Sequence, residues 1–80
     1  MDAGKTGAYL AALRKARGMT QQEAADQMGV SNKTVRKWEN GAGLPDITVL
    51  PALAELYGVT ADDILAGETL RGRPAEAQGP

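Results

Sequence analysis

Apolar positions recur at three- and four-residue spacing through most of the chain, and each periodic stretch ends at or near a glycine. Residues three and four apart share one face of an α-helix, so this pattern predicts short amphipathic helices. Five such stretches occur before position 68, and we predict an all-α fold. A chain of 80 residues holds one small core, so we expect a single domain.

The first predicted helix covers residues 8–17, because Leu10 and Leu13 lie on one face, and it ends at Gly18. The preceding segment, 1–7, has no apolar run, and we expect it to be flexible. Within that segment the letters GKT match the end of a phosphate-binding loop. No strand precedes them and the first glycine of that loop is missing, so we expect no nucleotide site.

Two short helices separated by a glycine turn are predicted next. Thr20 and Glu23 form a capping box for the second helix, which Gly29 ends. Ser31 is placed to cap the third helix. A short helix, one glycine, two residues and another short helix is the spacing of a helix-turn-helix, which is predicted here over 20–40.

The start of the fourth helix is ambiguous in the sequence. Asp46 is a candidate cap, but Pro51 lacks an N–H group and crowds the preceding turn. We therefore predict either a later start, near Val49, or a slight bend. The helix ends at Gly58.

The fifth predicted helix is short and is followed by a polar segment. Thr60 and Asp63 supply a second capping box, and Gly67 ends the helix. Residues 68–80 contain prolines and glycines and little to bury. We expect a disordered, flexible C-terminal tail or the start of a linker.

Charge is distributed unevenly along the chain. Residues 1–41 contain seven Lys and Arg against four Asp and Glu, whereas residues 42–80 contain two against six. This asymmetry indicates that one face meets a polyanion.

Two residue types that support much of enzyme chemistry are absent. The chain has no cysteine and no histidine, which excludes disulfides, Cys/His zinc sites, thiol nucleophiles and imidazole acid–base catalysis. We predict that the protein is not an enzyme and uses no cofactor or metal. With no signal-like N-terminus and no apolar run of membrane-spanning length, we expect a cytoplasmic protein with no membrane contact.

The third helix concentrates cations on one face. At 100° per residue, the face opposite Val35 and Trp38 contains Asn32, Lys33, Arg36 and Lys37. Solvent exposure is the ordinary fate of such residues. Here, however, no acid interrupts the face before Glu39, and the face follows a helix-turn-helix, at the helix end that enters a DNA major groove. Trp38 is expected in the core, because its period matches Val35.

The stretch LRKARGMTQQEAADQMGVSNKTVRKWENG resembles the Cro and phage-repressor type of helix-turn-helix protein, the Xre family. The matching positions are Arg14, Gly18, Thr20, Gln21, Ala25, Gly29, Val30, Ser31, Val35, Trp38, Glu39, Asn40 and Gly41. The match continues through LPDI and LAELYGVTADDILAG to Gly67. The resemblance implies a compact five-helix, lambda-repressor-like DNA-binding domain over 8–67. It also implies a homodimer on a palindromic double-stranded DNA operator, usually acting as a repressor of transcription.

The resemblance also assigns roles to individual residues. Base contacts are implied for Asn32, Lys33, Arg36 and Lys37, with Arg36 able to reach a base or a phosphate. Phosphate contacts are implied for Gln21, Ser31, Thr34 and Asn40, the last of which is equally well explained as a helix C-cap. A structural ion pair is implied between Arg14 and Glu39.

A second function stays open at this point. The protein as a whole is slightly acidic, whereas many dedicated DNA-binding domains are strongly basic. The same fold also serves as a protein-interaction module, for example as an antitoxin or an adapter. DNA affinity, or co-purification with a protein partner without DNA affinity, distinguishes the two.

Overall fold

A computed structural model describes residues 2–70, which form five α-helices. They are α1 (Ala3–Ala16), α2 (Gln21–Met28), α3 (Asn32–Glu39), α4 (Leu50–Tyr57) and α5 (Ala61–Ala66), with a short 3₁₀ helix (Ile47–Val49) before α4. This part of the chain contains no strand, so the predicted all-α, five-helix fold is confirmed. None of its helices has both the length and the apolar character needed to cross a bilayer.

The helices enclose one hydrophobic core, to which all five contribute. Its buried members are Leu10, Ala25, Val35, Trp38, Leu50, Leu53, Ala54, Tyr57 and Ile64. Helix α3 packs against both α1 and α2, and α5 closes the core against α1 and α4. Ala24 and Ala25 are fully buried between helices, where small side chains allow close packing. Trp38 is 8% exposed and therefore belongs to the core, as predicted.

Helix α1 begins well before the predicted start at residue 8, so the predicted flexible 1–7 segment is wrong from Ala3 onward. The Asp2 carboxylate caps the helix by accepting the Lys5 N–H at 3.0 Å. Thr6 is buried and donates its hydroxyl to the Ile64 carbonyl at 3.0 Å. Gly7 is also buried, with the backbone of α3 so close that a Cβ would overlap the Trp38 carbonyl. These contacts involve small and polar residues, which an apolar-periodicity pattern does not register.

Helix α4 begins at Leu50, and Pro51 lies in its first turn. There the missing N–H of proline has no intrahelical acceptor to lose. The Asp46 carboxylate accepts the Thr48 N–H at 3.2 Å and so caps the 3₁₀ helix, not α4. The later start predicted near Val49 is confirmed.

The chain beyond α5 is attached to the domain as far as Leu70. The Leu70 N–H donates to the buried Asp63 carboxylate at 2.9 Å, and the hydroxyls of Thr69 and Tyr9 lie 2.9 Å apart. The predicted start of the tail at residue 68 is therefore wrong, because these contacts hold residues 68–70. The remainder of the predicted tail, 71–80, lies outside the described residues.

Candidate nucleic-acid interface

Local hydrogen bonds define the helix-turn-helix. At the start of α2 the Thr20 hydroxyl accepts the Glu23 N–H at 3.0 Å, and the Glu23 carboxylate accepts the Thr20 N–H at 2.9 Å. Gly29 ends α2 in the left-handed conformation, with φ of 71°, which glycine adopts without a steric penalty. Ser31 caps α3 by accepting the Thr34 N–H at 3.1 Å. The predicted motif therefore forms, and α3 packs directly against α2.

The outer face of α3 is cationic and open. Lys33, Arg36 and Lys37 are all exposed, and Asn32 is half-buried at the start of the helix. In residues 2–70 no carboxylate pairs with any of the three cations. Their charge is thus available to an anionic partner, and the face has the dimensions of one short helix, which a DNA major groove accommodates.

The residues predicted to contact phosphates are in three different situations. The hydroxyls of Ser31 and Thr34 are 2.9 Å apart and bond to each other at the N-terminus of α3. Asn40 is exposed and forms the C-cap of α3, with its N–H donating to the Arg36 carbonyl at 2.9 Å. The C-cap alternative for Asn40 is therefore present in the structure, and its exposed side chain stays a candidate for contact.

Gln21, the fourth residue predicted to contact a phosphate, has its side chain hydrogen-bonded within the domain. Its amide Nε2 donates to the Glu39 Oε1 at 3.0 Å. Arg14 donates to the same carboxylate through both Nε, at 2.7 Å to Oε2, and Nη2, at 3.0 Å to Oε1. The third Arg14 bond goes from Nη1 to the Met19 carbonyl at 2.9 Å. One carboxylate thereby joins the end of α3 to α1, to the first residue of α2 and, through Arg14, to the turn before α2.

This network is partly shielded from water, which strengthens its electrostatics. The side chains of Arg14 and Glu39 are 11% and 5% exposed. Burial by itself raises the pKa of Glu39, but hydrogen bonds from Arg14 and Gln21, together with the positive charge of Arg14, outweigh burial and lower it. The hydrogen bond to Glu39 raises the pKa of Arg14 in turn. Both groups are charged at neutral pH, so the negative charge of Glu39 is neutralised beside the cationic face.

No role was predicted from the sequence for one cation near this network. Lys15 is exposed at the end of α1 and follows Arg14 directly in the chain. Arg17, two residues later, instead lies against Gly58 in the turn between α4 and α5, where a Cβ would meet its guanidinium. The sequence shows both cations, but only tertiary packing places the Arg17 guanidinium against the turn between α4 and α5.

Comparison with known proteins identifies relatives of this arrangement. The model of a helix-turn-helix family matches residues 10–64. The chain is 38% identical over 58 residues to the HTH-type transcriptional activator BcrR of Enterococcus faecalis, an alignment covering 72% of this chain and 28% of BcrR. It is 36% identical over 55 residues to the cryptic phage CTXphi transcriptional repressor RstR of Vibrio cholerae, covering 69% of this chain and 49% of RstR.

A solved structure has the same fold. The crystal structure of the clp gene regulator ClgR from C. glutamicum superposes with a TM-score of 0.72 and 24% identity, covering 84% of this chain and 87% of that one. In contrast, the chain spans only about a quarter of BcrR and half of RstR. The similarity to these two curated relatives is therefore confined to a part of each.

Proposed function

We propose that this chain, which belongs to the Xre-like helix-turn-helix family of DNA-binding transcription regulators, binds double-stranded DNA and reads its sequence with α3. The observation that supports this most directly is the open cationic face of α3, whose three cations have no carboxylate partner in the described part of the chain. A family of this kind is non-enzymatic.

Roles for the individual side chains follow from their chemistry. Lys33, Arg36 and Lys37 donate to guanine O6 and N7, or to a phosphate in the case of Arg36, and Asn32 pairs with adenine N6 and N7. Ser31, Thr34 and Asn40 lie at the two ends of the helix, where the phosphate backbone borders the groove. Gln21 contributes through its backbone and the second hydrogen of its amide, because the first is donated to Glu39.

The proposal includes symmetry and the direction of regulation. Two copies bind a palindromic operator, with half-sites about one helical turn, or roughly 10 base pairs, apart. Binding represses transcription by occupying the operator. The relatives include both an activator and a repressor by name, so a reporter placed behind the selected operator is the measurement that decides the sign.

The test is selection of bound duplexes from a random double-stranded pool, followed by fluorescence anisotropy with the selected duplex. We expect a palindromic consensus. The double variant Lys33→Ala with Lys37→Ala removes two base contacts, and binding should weaken by about 2 kcal/mol or more, roughly thirtyfold.

The matched control is Lys5→Ala with Arg17→Ala, which changes the net charge by the same amount away from α3. It should leave the affinity within roughly threefold of the unmodified chain. If both doubles weaken binding equally, α3 is not the recognition helix. If no duplex is enriched and a protein partner co-purifies at low salt, the protein-interaction alternative replaces this proposal.

A further inference from the structure

The cations outside α3 are used in different ways, which singles out one of them. Arg14 is committed to Glu39, at 2.7 Å. Lys5 lies 3.7 Å from the Glu68 carboxylate, and Arg17 lies against Gly58. Lys15 is exposed, and the structure pairs it with no carboxylate in residues 2–70.

The contacts of the neighbouring Arg14 show how close the end of α1, which includes Lys15, lies to α2 and α3. Arg14 reaches the Glu39 carboxylate at the end of α3, and Gln21, the first residue of α2, donates to the same carboxylate. The end of α1 is therefore one side chain away from both helices of the helix-turn-helix. The electrostatics of Glu39 agree with this arrangement: burial raises the Glu39 pKa, the bonds from Arg14 and Gln21 lower it, and the positive charge of Lys15 lowers it further.

Among Arg14, Glu39 and Lys15, one positive charge is left without a partner. The charges of Arg14 and Glu39 cancel, since each is paired with the other. Lys15 then adds one uncompensated, strongly hydrated ammonium on a flexible stem, which suits a phosphate better than the fixed geometry of a base edge.

We infer that Lys15 contacts a DNA phosphate at the edge of the site where α1, α2 and α3 meet, extending the interface beyond the recognition helix. This inference rests on the proposed DNA binding. It assigns Lys15 to affinity and leaves sequence discrimination to α3, because a phosphate contact is the same for every sequence.

The experiment measures anisotropy binding of the selected duplex between about 50 and 200 mM salt, the range over which phosphate contacts lose affinity steeply. Lys15→Ala should bind roughly two- to fivefold more weakly at the low-salt end. The slope of log K against log salt should become shallower by about 0.9, the contribution of one phosphate contact. Lys15→Ala should weaken binding to a mismatched duplex by the same factor as binding to the selected duplex. Lys15→Arg should restore the slope.

Arg17→Ala is the matched control, because it removes one exposed cation from the same helix end and should leave the slope parallel to that of the unmodified chain. If Lys15 acted only by stabilising α1 through its helix dipole, Lys15→Ala would change the melting temperature and leave the slope of log K against log salt unchanged. An unchanged slope in Lys15→Ala overturns the inference, and so does an equal loss in Arg17→Ala, which would indicate a general field. If the unmodified chain binds no duplex, the proposed function itself fails, and that outcome is distinct from both.

Discussion

Glu39 is an acid at the border of a cationic surface, and its neighbours make it compatible with that position. Arg14 and Gln21 satisfy its two oxygens, and all three side chains come from different helices. A buried charge is tolerated when it is paired and hydrogen-bonded, and it becomes costly when a partner is lost. The network therefore stabilises the orientation of α3 and removes a repulsive charge from the proposed DNA face.

The Glu39→Gln variant tests this role through the pH dependence of the free energy of unfolding. The new amide would present a donor to Arg14 or Gln21 where an acceptor is needed, so we expect unfolding to become easier by about 1–3 kcal/mol at pH 7. The pKa of Glu39 is lower in the folded chain than in the unfolded chain, where it is about 4.3. As the pH falls below that value, the unfolded chain therefore binds a proton at Glu39 more readily than the folded chain does. Its stabilisation is present above that pH and is lost as pH falls through the folded pKa.

Urea denaturation of both proteins from pH 7 down to pH 3 provides the measurement. The difference in unfolding free energy should narrow toward the acid end. The exposed Glu55→Gln serves as the control and should track the unmodified chain throughout. A difference for Glu39→Gln that is constant with pH would show that its charge does not contribute.

At the scale of the elements, the first two turns of α1 are a docking surface for the end of α3. Gly7 makes this possible, because a Cβ there would overlap the Trp38 carbonyl and lie 2.8 Å from the Glu39 carbonyl oxygen. The neighbouring Gly4 has no such restriction, since its Cβ would meet only the Asp2 carboxylate, at 3.4 Å. Gly7 is therefore needed for the close packing of α1 on α3, whereas Gly4 is not.

Alanine at these two positions should change stability in opposite directions. Gly7→Ala should destabilise by about 1–3 kcal/mol, because the helix pair must separate to admit the methyl group. Gly4→Ala should stabilise by about 0.5–1 kcal/mol, since alanine favours the helix and restricts the unfolded chain. Thermal unfolding followed by circular dichroism measures both. Equal shifts in the two variants would mean that α1 does not pack closely on α3.

On the scale of the whole molecule, contacts between the two ends of the described chain close the domain. Thr6 donates to the Ile64 carbonyl, and the hydroxyls of Tyr9 and Thr69 join α1 to the segment after α5. Within the C-terminal end, Asp63 accepts the Leu70 N–H and holds that segment against α5. The two links from α1 span the length of the domain in sequence, so they stabilise the fold as a unit and not any single helix.

Removing the Thr6 hydroxyl isolates one of these links. Thr6→Val keeps the shape of the side chain but leaves the Ile64 carbonyl with only its bond from Gly67, and we expect a loss of about 1 kcal/mol. Thr48→Val, at an exposed position, should change stability by less than about 0.5 kcal/mol. Chemical denaturation compares the two. If Thr6→Val had the same free energy of unfolding as the unmodified chain, this hydrogen bond would not contribute to joining the two ends.

The local features of this protein could be predicted from the sequence because neighbouring residues determine them. The capping boxes at Thr20 and Thr60 satisfy amides three residues away, and Gly29 ends α2 through its own backbone conformation. The cationic face of α3 follows from helical geometry alone. For these features the sequence was sufficient.

Tertiary structure decided what depends on residues distant in the chain. Helix α1 starts early because Thr6 bonds to the Ile64 carbonyl and Gly7 packs against Trp38. The spacing of apolar residues does not predict these contacts. The partner of the Gln21 amide likewise depends on how α2 packs beside α3, not on its own neighbours in sequence. By itself the sequence determined the capped starts of α2, α3 and α5 and the charge of the outer face of α3, because both arise within one or two turns. Only the tertiary structure decided which cations stay open to a partner, because that depends on which acids and backbone groups folding brings beside them.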